Sequence, residues 1–515
     1  MTLLEIAKDA HNQPIGILGE MANRHGLISG ATGTGKSVTL RKMAENFSDV
    51  AVPVFLVDVK GDFSGMVTAG KAEGKLAQVA AAQGLTEEYY HGFPVTFWDI
   101  YGQSGIPMRI KLSDMGPLLL SRLMDLNATQ QGVLNLIFKI AHDNGWLLTD
   151  IKDLRMLLSY ISEKAGQYEA DYGRISSVSV AAIQRQLLGL ESDGADVLFG
   201  EPSLELGDLL SQKNGQGMVN ILAASKLMRS PKTFSALLLW LLTQLFSEFP
   251  EVGDLPLPKL VLFFDEAHLL FEHATTELLQ KIEQVVRLIR SKGIGVYFCT
   301  QSPLDLPEVI LGQLGNRIQH ALRAYTPKDQ KNVKAAAQTF RANADLNVEE
   351  AISTMGVGEA LISFLDDKGM PQPVTRVHVM LPASCLTPLT GEETAACIKQ
   401  SPLYTKYAQR IDNFSASEAI EKIKNTVTAT ENGKTFNEDK HNKPQTRKQA
   451  SEGSKSGIKD AVSKGSTNMA TGFLRGLFGL RKSSRKGMSY DISNEIGKEL
   501  KERIRRTIMS VIRRK

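Results

Sequence analysis

With 515 residues, 42% of them apolar and 23% charged, the chain has the composition of a globular protein of two or three domains, or of one large α/β domain carrying an insertion and a tail. Its three cysteines, Cys299, Cys385 and Cys397, show neither C-x-x-C nor Cys/His spacing, which argues against a zinc module or disulfide framework and for a reducing, cytoplasmic location. The net charge of +4 joins two unlike regions: Glu431 to Lys515 hold 21 Lys+Arg against 9 Asp+Glu (+12), and the first 430 residues hold 39 against 47 (−8), which argues against a broad basic patch for nucleic acid on the body and leaves room for a basic channel inside a ring.

The first residues, Met1 to Asp9, place Glu5 before any basic residue, unlike a signal peptide. A turn at Asn12-Gln13-Pro14 precedes Ile15 to Gly19, and Gly26-Leu27-Ile28 reads as a short buried strand. Next come Gly30-Ala31-Thr32-Gly33-Thr34-Gly35-Lys36-Ser37, which fill the pattern G-x-x-x-x-G-K-[ST] at every fixed position, and a helix-forming run from Val38. Strand, loop and helix are the context this pattern needs. The glycines let successive backbone N–H groups turn toward one centre at a helix N-terminus, which is a seat for phosphate. Lys36 would reach the β- and γ-phosphates and the Ser37 hydroxyl would ligate Mg²⁺. Gly30 to Ser37, with Val38, are therefore the expected nucleotide contacts, and ATP with Mg²⁺ the expected cofactors.

Val52 to Val57, ending at Asp58, and Phe93 to Trp98, ending at Asp99, read as further strands of a parallel sheet covered on both faces. From Leu112 to Gln212 the spacing turns helical, as in Leu118, Leu119, Leu123 and Leu126 or Val133, Leu136, Ile137 and Ile140, with Asn127 or Thr129 as a cap. Strands resume at Met218 to Leu222, Lys259 to Phe264, Ile294 to Cys299, Arg317 to Ala324, Glu359 to Phe364 and Pro373 to Met380, with helices over 233–249, 276–291 and 327–340. The longest apolar run, Phe234 to Phe246, is about 13 residues and too short to span a bilayer. The alternation predicts an α/β fold, a P-loop core with a mainly parallel sheet. Its expected parts are the first part of the core (1–111), a helical insertion (112–212), the second part of the core (213–388), a partly disordered linker (389–470) and a basic amphipathic helical tail (471–515). In that tail Ile492, Ile496, Leu500, Ile504, Ile508 and Val511 form a stripe among Lys and Arg, suited to an anionic membrane or to nucleic acid.

A P-loop names a nucleotide and not a task. The second element is Phe263-Phe264-Asp265-Glu266, where a strand delivers two carboxylates to its end: Asp265 for the Mg²⁺ shell, Glu266 to orient or deprotonate the attacking water. Gln301, after the strand ending at Cys299-Thr300, is placed to sense the γ-phosphate. Arg290 and Arg323 are the candidate arginines for charge developing on the transferred phosphoryl group, and spacing alone does not choose between them. His268 reads first as a helix-start histidine and His25 as structural.

Taken in order, His25-Gly26-Leu27-Ile28-Ser29 with the P-loop, Val57-Asp58-Val59-Lys60-Gly61-Asp62, Asp265-Glu266-Ala267-His268, Arg290-Ser291-Lys292-Gly293-Ile294-Gly295 and Thr300-Gln301-Ser302-Pro303 resemble the HerA/FtsK class of motor ATPases, and within it the bacterial HerA-like, YjgR-like branch. The resemblance covers most of residues 15 to 382. It implies a RecA-like core, a homo-oligomer in the form of a hexameric ring, ATP hydrolysis at subunit interfaces and DNA as the translocated or remodelled polymer. By position Lys36 and Ser37 match the Walker A pair, Asp265 and Glu266 the Walker B pair and Gln301 the sensor. Arg323 matches the arginine that reaches the neighbouring subunit, and Arg290 lies in the family's Arg-x-Lys-Gly element. Asp58 and Asp62 match an acidic motif near the nucleotide. Members with a nuclease partner carry a β-barrel before the P-loop, whereas 29 residues precede Gly30 here, which argues against nuclease coupling. The alternative is a nucleotide-switched scaffold or membrane-associated regulator acting through the basic tail.

Overall fold

The computed structural model describes residues 2–253, 255–272 and 276–426. The expected tail (471–515) and most of the expected linker lie outside the described residues. A twelve-stranded sheet organises the rest. From one edge it runs β2 (Pro14–Leu18), β1 (Leu3–Asp9), β14 (Thr375–Val379), β13 (Glu359–Ser363), β12 (Asn316–Gln319), β3 (Gly26–Ser29), β11 (Ile294–Thr300), β10 (Leu260–Phe264), β4 (Val54–Asp58), β9 (Val219–Ala223), β5 (Val95–Asp99) and β6 (Ile106–Pro107). β7 (Gln212–Lys213) and β8 (Gln216–Gly217) form a separate small hairpin. Pairing is parallel from β12 through β6 and antiparallel from β12 back to β2. The sheet is thus mixed but mainly parallel, with a RecA-like P-loop centre.

The strand sequences explain its burial. Leu27, Phe55, Val57, Leu262, Phe264, Val296 and Phe298 enter one apolar core, and their alternating neighbours Ile28, Val54, Leu56, Val261, Phe263 and Tyr297 enter another. A central strand with both faces covered needs apolar residues at every position, and these have them. Helix Lys36–Asp49 covers the second face with Leu40, Met43, Ala44 and Phe47. The helical region 112–209 and helix Pro231–Glu248 cover the first. Asn127 caps helix Ala128–Asp143 through a reciprocal bond pair with Gln130.

Three local expectations shift. β1 supplies a strand before the expected turn, burying Leu4, Ile6 and Ala7 against β14 and β2. The strand expected over Arg317 to Ala324 stops at Gln319, after which His320 N donates to Ser29 O and Ala321 O accepts from Ala31 N, so the backbone turns to the P-loop rather than continuing a ladder. Past Pro388 the chain forms helices Gly391–Gln400 and Pro402–Tyr407 and is helical again over 416–426. Tyr407 there is fully buried, edge-on to Trp98 with ring centroids 5.5 Å apart, and Ala416 and Ile420 also join the core. Sparse apolar positions hid this packing. Among the described residues no helix is long and apolar enough to cross a membrane.

Candidate active site

The parallel strands deliver their C-terminal ends to one sheet edge. There β3 ends in the P-loop, β11 beside it ends at Thr300 with Gln301 exposed, β10 ends in Asp265 and Glu266, and β4 ends at Asp58. Placing β11 between the P-loop strand and the Asp-Glu strand sets an amide between phosphate loop and carboxylates.

The loop itself is held open by three positive-φ glycines, Gly30 (151°), Gly33 (77°) and Gly35 (117°). A Cβ on Gly30 would stand 2.5 Å from that of His320, so the close approach as well as the dihedral demands glycine. Ala31 N donates to Ala321 O, and Thr34 Oγ1 and Lys36 Nζ donate to Ala31 O at 2.7 and 3.1 Å. The N–H groups of the first turn of helix Lys36–Asp49 have no preceding acceptor and face an anion site. Burial lowers the pKa of Lys36, against the pull of Cys299, Glu266 and Asp265.

The two carboxylates are driven apart electrostatically. Burial, with Glu266 and Asp58 nearby, raises the Asp265 pKa to about 6 despite Lys60. Glu266 is also buried, which by itself would raise its pKa, but the hydrogen bond and charge of Lys60, with His268 and Lys36, hold it below the ordinary value. One group favours a proton or a cation, and the other is kept as a base. Glu266 also has φ 48°, a left-handed conformation costly for a residue with a Cβ and found chiefly where structure overrides local preference.

Lys60, which pairs with Glu266, is the residue that sequence reasoning passed over. Its loop is set by Asp58, which accepts from Gly61 N at 2.7 Å and Phe63 N at 3.1 Å. Asp58 thus shapes the loop, and burial raises its pKa. The second missed residue is His320, fully buried beneath the P-loop with Nε2 2.8 Å from Thr39 Oγ1 and Nδ1 3.0 Å from Glu359 O. Lys60 lies within the Val57 to Asp62 motif, which gave it no role of its own, and His320 was hidden in an expected strand.

The donors fit a hard cation such as Mg²⁺. Asp265 Oδ2 is buried without a hydrogen-bond partner, and Ser37 stands in the half-buried first turn of the P-loop helix. His268 begins helix His268–Glu272, with Nδ1 3.3 Å from Glu266 Oε2 but no hydrogen bond between them. His25 is structural: Val296 N donates to Nδ1, Nε2 bonds Val286 O, and burial depresses its pKa to about 4.

The arginines separate. Arg323 is exposed just past β12, donating to Ser353 O at 3.2 Å and Met355 O at 3.5 Å. Arg290 belongs to the turn Arg290–Lys292 before β11, near His25. It therefore stands a strand length, about 20 Å, from Gln301, and this chain does not bring it to its own P-loop.

A P-loop, an inserted sensor strand and an Asp-Glu pair on a RecA-like sheet define a P-loop motor ATPase. The family model of the helicase HerA-like C-terminal domain matches residues 4–514, and the chain belongs to that family, within the HerA/FtsK class. Among solved structures it is similar to the plasmid coupling protein TrwB in complex with a non-hydrolysable GTP analogue (16% identity, 76% of this chain and 92% of that one, TM-score 0.51). It is likewise similar to the unbound bacterial conjugative coupling protein TrwB (15%, 75% and 91%, 0.50). VirB4 of Thermoanaerobacter pseudethanolicus aligns at 15% identity over 73% of this chain and 95% of that one, with TM-score 0.45. No curated protein sequence matches the chain.

Proposed function

We propose that this protein is a Mg²⁺-dependent ATPase that works as an oligomeric, hexameric ring and moves on or remodels DNA. The observation that carries the ATPase part is that Lys36, Ser37, Asp265, Glu266 and Gln301 follow the C-terminal ends of the adjacent parallel strands β3, β10 and β11. Ser37 and Asp265 would hold Mg²⁺, which when bound neutralises charge on the β- and γ-phosphate oxygens. Lys36 and the loop N–H groups grip the phosphates. Glu266, held ionised by Lys60, accepts the proton of the attacking water, and Gln301 orients that water. Arg323, exposed and bonded only to the backbone carbonyls of Ser353 and Met355 among the described residues, is assigned to the neighbouring subunit's nucleotide.

DNA and the ring rest on membership of the HerA/FtsK class. Lys36→Ala should abolish hydrolysis, whereas Arg323→Ala should remove activity and leave ATP binding intact. Equal hydrolysis by wild type and Lys36→Ala would sink the catalytic assignment. ATPase rates with and without duplex DNA across a salt series test the polymer: absence of both stimulation and salt-dependent binding removes the translocase reading.

A further inference from the structure

Two ionisable side chains of the P-loop helix, Arg41 and Glu45, are buried at 3% and 0% exposure and take no part in the chemistry proposed above. Glu45 accepts from Ala383 N, Ser384 N and Ser384 Oγ at 2.8, 3.0 and 2.5 Å, which fastens the helix to residues 383–385. Arg41, one turn nearer the phosphate end, grips the same segment and also reaches the other way. Its Nη1 donates to Ser384 Oγ at 3.4 Å and to Cys385 O, while Nη2 donates to Asp62 O. Holding two carbonyls on separate segments is work for a rigid planar fork of donors, which a lysine ammonium on its flexible stem does not reproduce. Burying a guanidinium costs free energy that an apolar side chain of similar volume avoids, so stability alone does not call for one here.

Asp62 belongs to the loop that carries Lys60. Asp58 pins the start of that loop by accepting from Gly61 N and Phe63 N, and Phe63 anchors its end, fully buried with its ring centroid 5.6 Å from the Arg41 guanidinium. Between these anchors the Lys60 side chain is 37% exposed, whereas its partner Glu266 is 6% exposed. Burial does little to place the ammonium, so the loop backbone must place it. We infer that Arg41 is a positioning residue for hydrolysis: by holding Asp62 O from the helix that bears Lys36 and Ser37, it sets the loop so that Lys60 meets Glu266, and it thereby fixes the base relative to the phosphate loop. The inference rests on the reading of Glu266 as the base and Lys60 as its cation.

The test is a double-mutant cycle on the full chain, with kcat for ATP hydrolysis in Mg²⁺ and the Kd of a non-hydrolysable ATP analogue measured for each member. Arg41→Lys keeps a cation beside Glu45, and with it the fold, but loses the fork. It should lower kcat about tenfold, the scale of a small misplacement of a catalytic group, and leave Kd within about threefold of wild type. In a Lys60→Met background the same substitution should change kcat by less than about twofold, because the side chain it places is gone. Arg41→Met should repeat the pattern with a larger loss. A kcat of Arg41→Lys within about twofold of wild type overturns the inference. So does an equal loss in both backgrounds, which would make Arg41 a support of the fold, or a Kd weakened as much as kcat, which would make it a support of the P-loop. The parent reading fails separately: wild-type kcat in Lys60→Met or in Glu266→Gln would remove the base or its cation whatever Arg41 does.

Discussion

His320 ties acid stability to the P-loop. It is fully buried, and burial, opposed by its bond to Glu359 O and reinforced by Lys36, lowers its pKa to about 4. Glu359 O can only accept, so Nδ1 carries the proton and Nε2 accepts from Thr39. In the unfolded chain the imidazole titrates near 6.5, so between pH 6.5 and about 4 the unfolded state binds more protons and stability falls as pH falls. From pH 7 to pH 5 this one residue should cost about 2 kcal/mol, rising to about 3 kcal/mol below pH 4. Asp265, with its pKa raised to about 6, works in the opposite sense, gaining stability as pH falls through that value. Total stability therefore mixes the two, and a difference isolates the histidine. Urea unfolding of wild type and His320→Gln at pH 7 and pH 5 should show the gap between them moving by about 2 kcal/mol in the variant's favour at the lower pH. A gap that moves by less than about 0.5 kcal/mol would mean that His320 titrates as an exposed imidazole and that the account of its burial fails.

Glu266→Gln should retain ATP binding and lower kcat by about 10² to 10⁴, the usual worth of a positioned base; single-turnover hydrolysis within threefold or so of wild type would remove Glu266 from that role. Lys60→Met withdraws the cation that holds Glu266 ionised, so the acidic limb of the pH–rate profile should move to higher pH, with activity recovering in alkaline buffer; an unmoved limb would leave Lys60 without influence on the base. Tyr407→Ala should destabilise the protein by about 3 to 5 kcal/mol, the range for deleting a buried aromatic. It removes the contact with Trp98 and the hydrogen bonds to Asp208 and from Glu205 N, and a melting temperature equal to wild type would refute that packing.

The sheet was legible because its central strands are buried on both faces, which leaves unbroken apolar runs such as Leu260 to Phe264. The candidate site was legible as a cluster because phosphate chemistry fixes residue types at fixed spacing, as in Gly30 to Ser37. Strand β1, next to the edge strand β2, was not, since a half-buried strand spells only an alternation, Leu4 and Ile6, within seven residues. Lys60 and His320 act through partners about 206 and 281 positions away, Glu266 and Thr39, and no local pattern encodes such a pairing. The helices after Pro388 carry few apolar residues, so their docking through Tyr407 left no periodic trace.

The antiparallel seam of β1 with β14 joins Ala7 to Val379. Lys8 and Asp9 from one side of that seam and His378 and Val379 from the other line a cavity beside the P-loop. The P-loop strand and helix emerge before β14, which lines this cavity and follows more than three hundred residues later. Pairing over so long a stretch is slow to nucleate. Completion of the sheet around the P-loop is then a late step in the folding of each newly made chain.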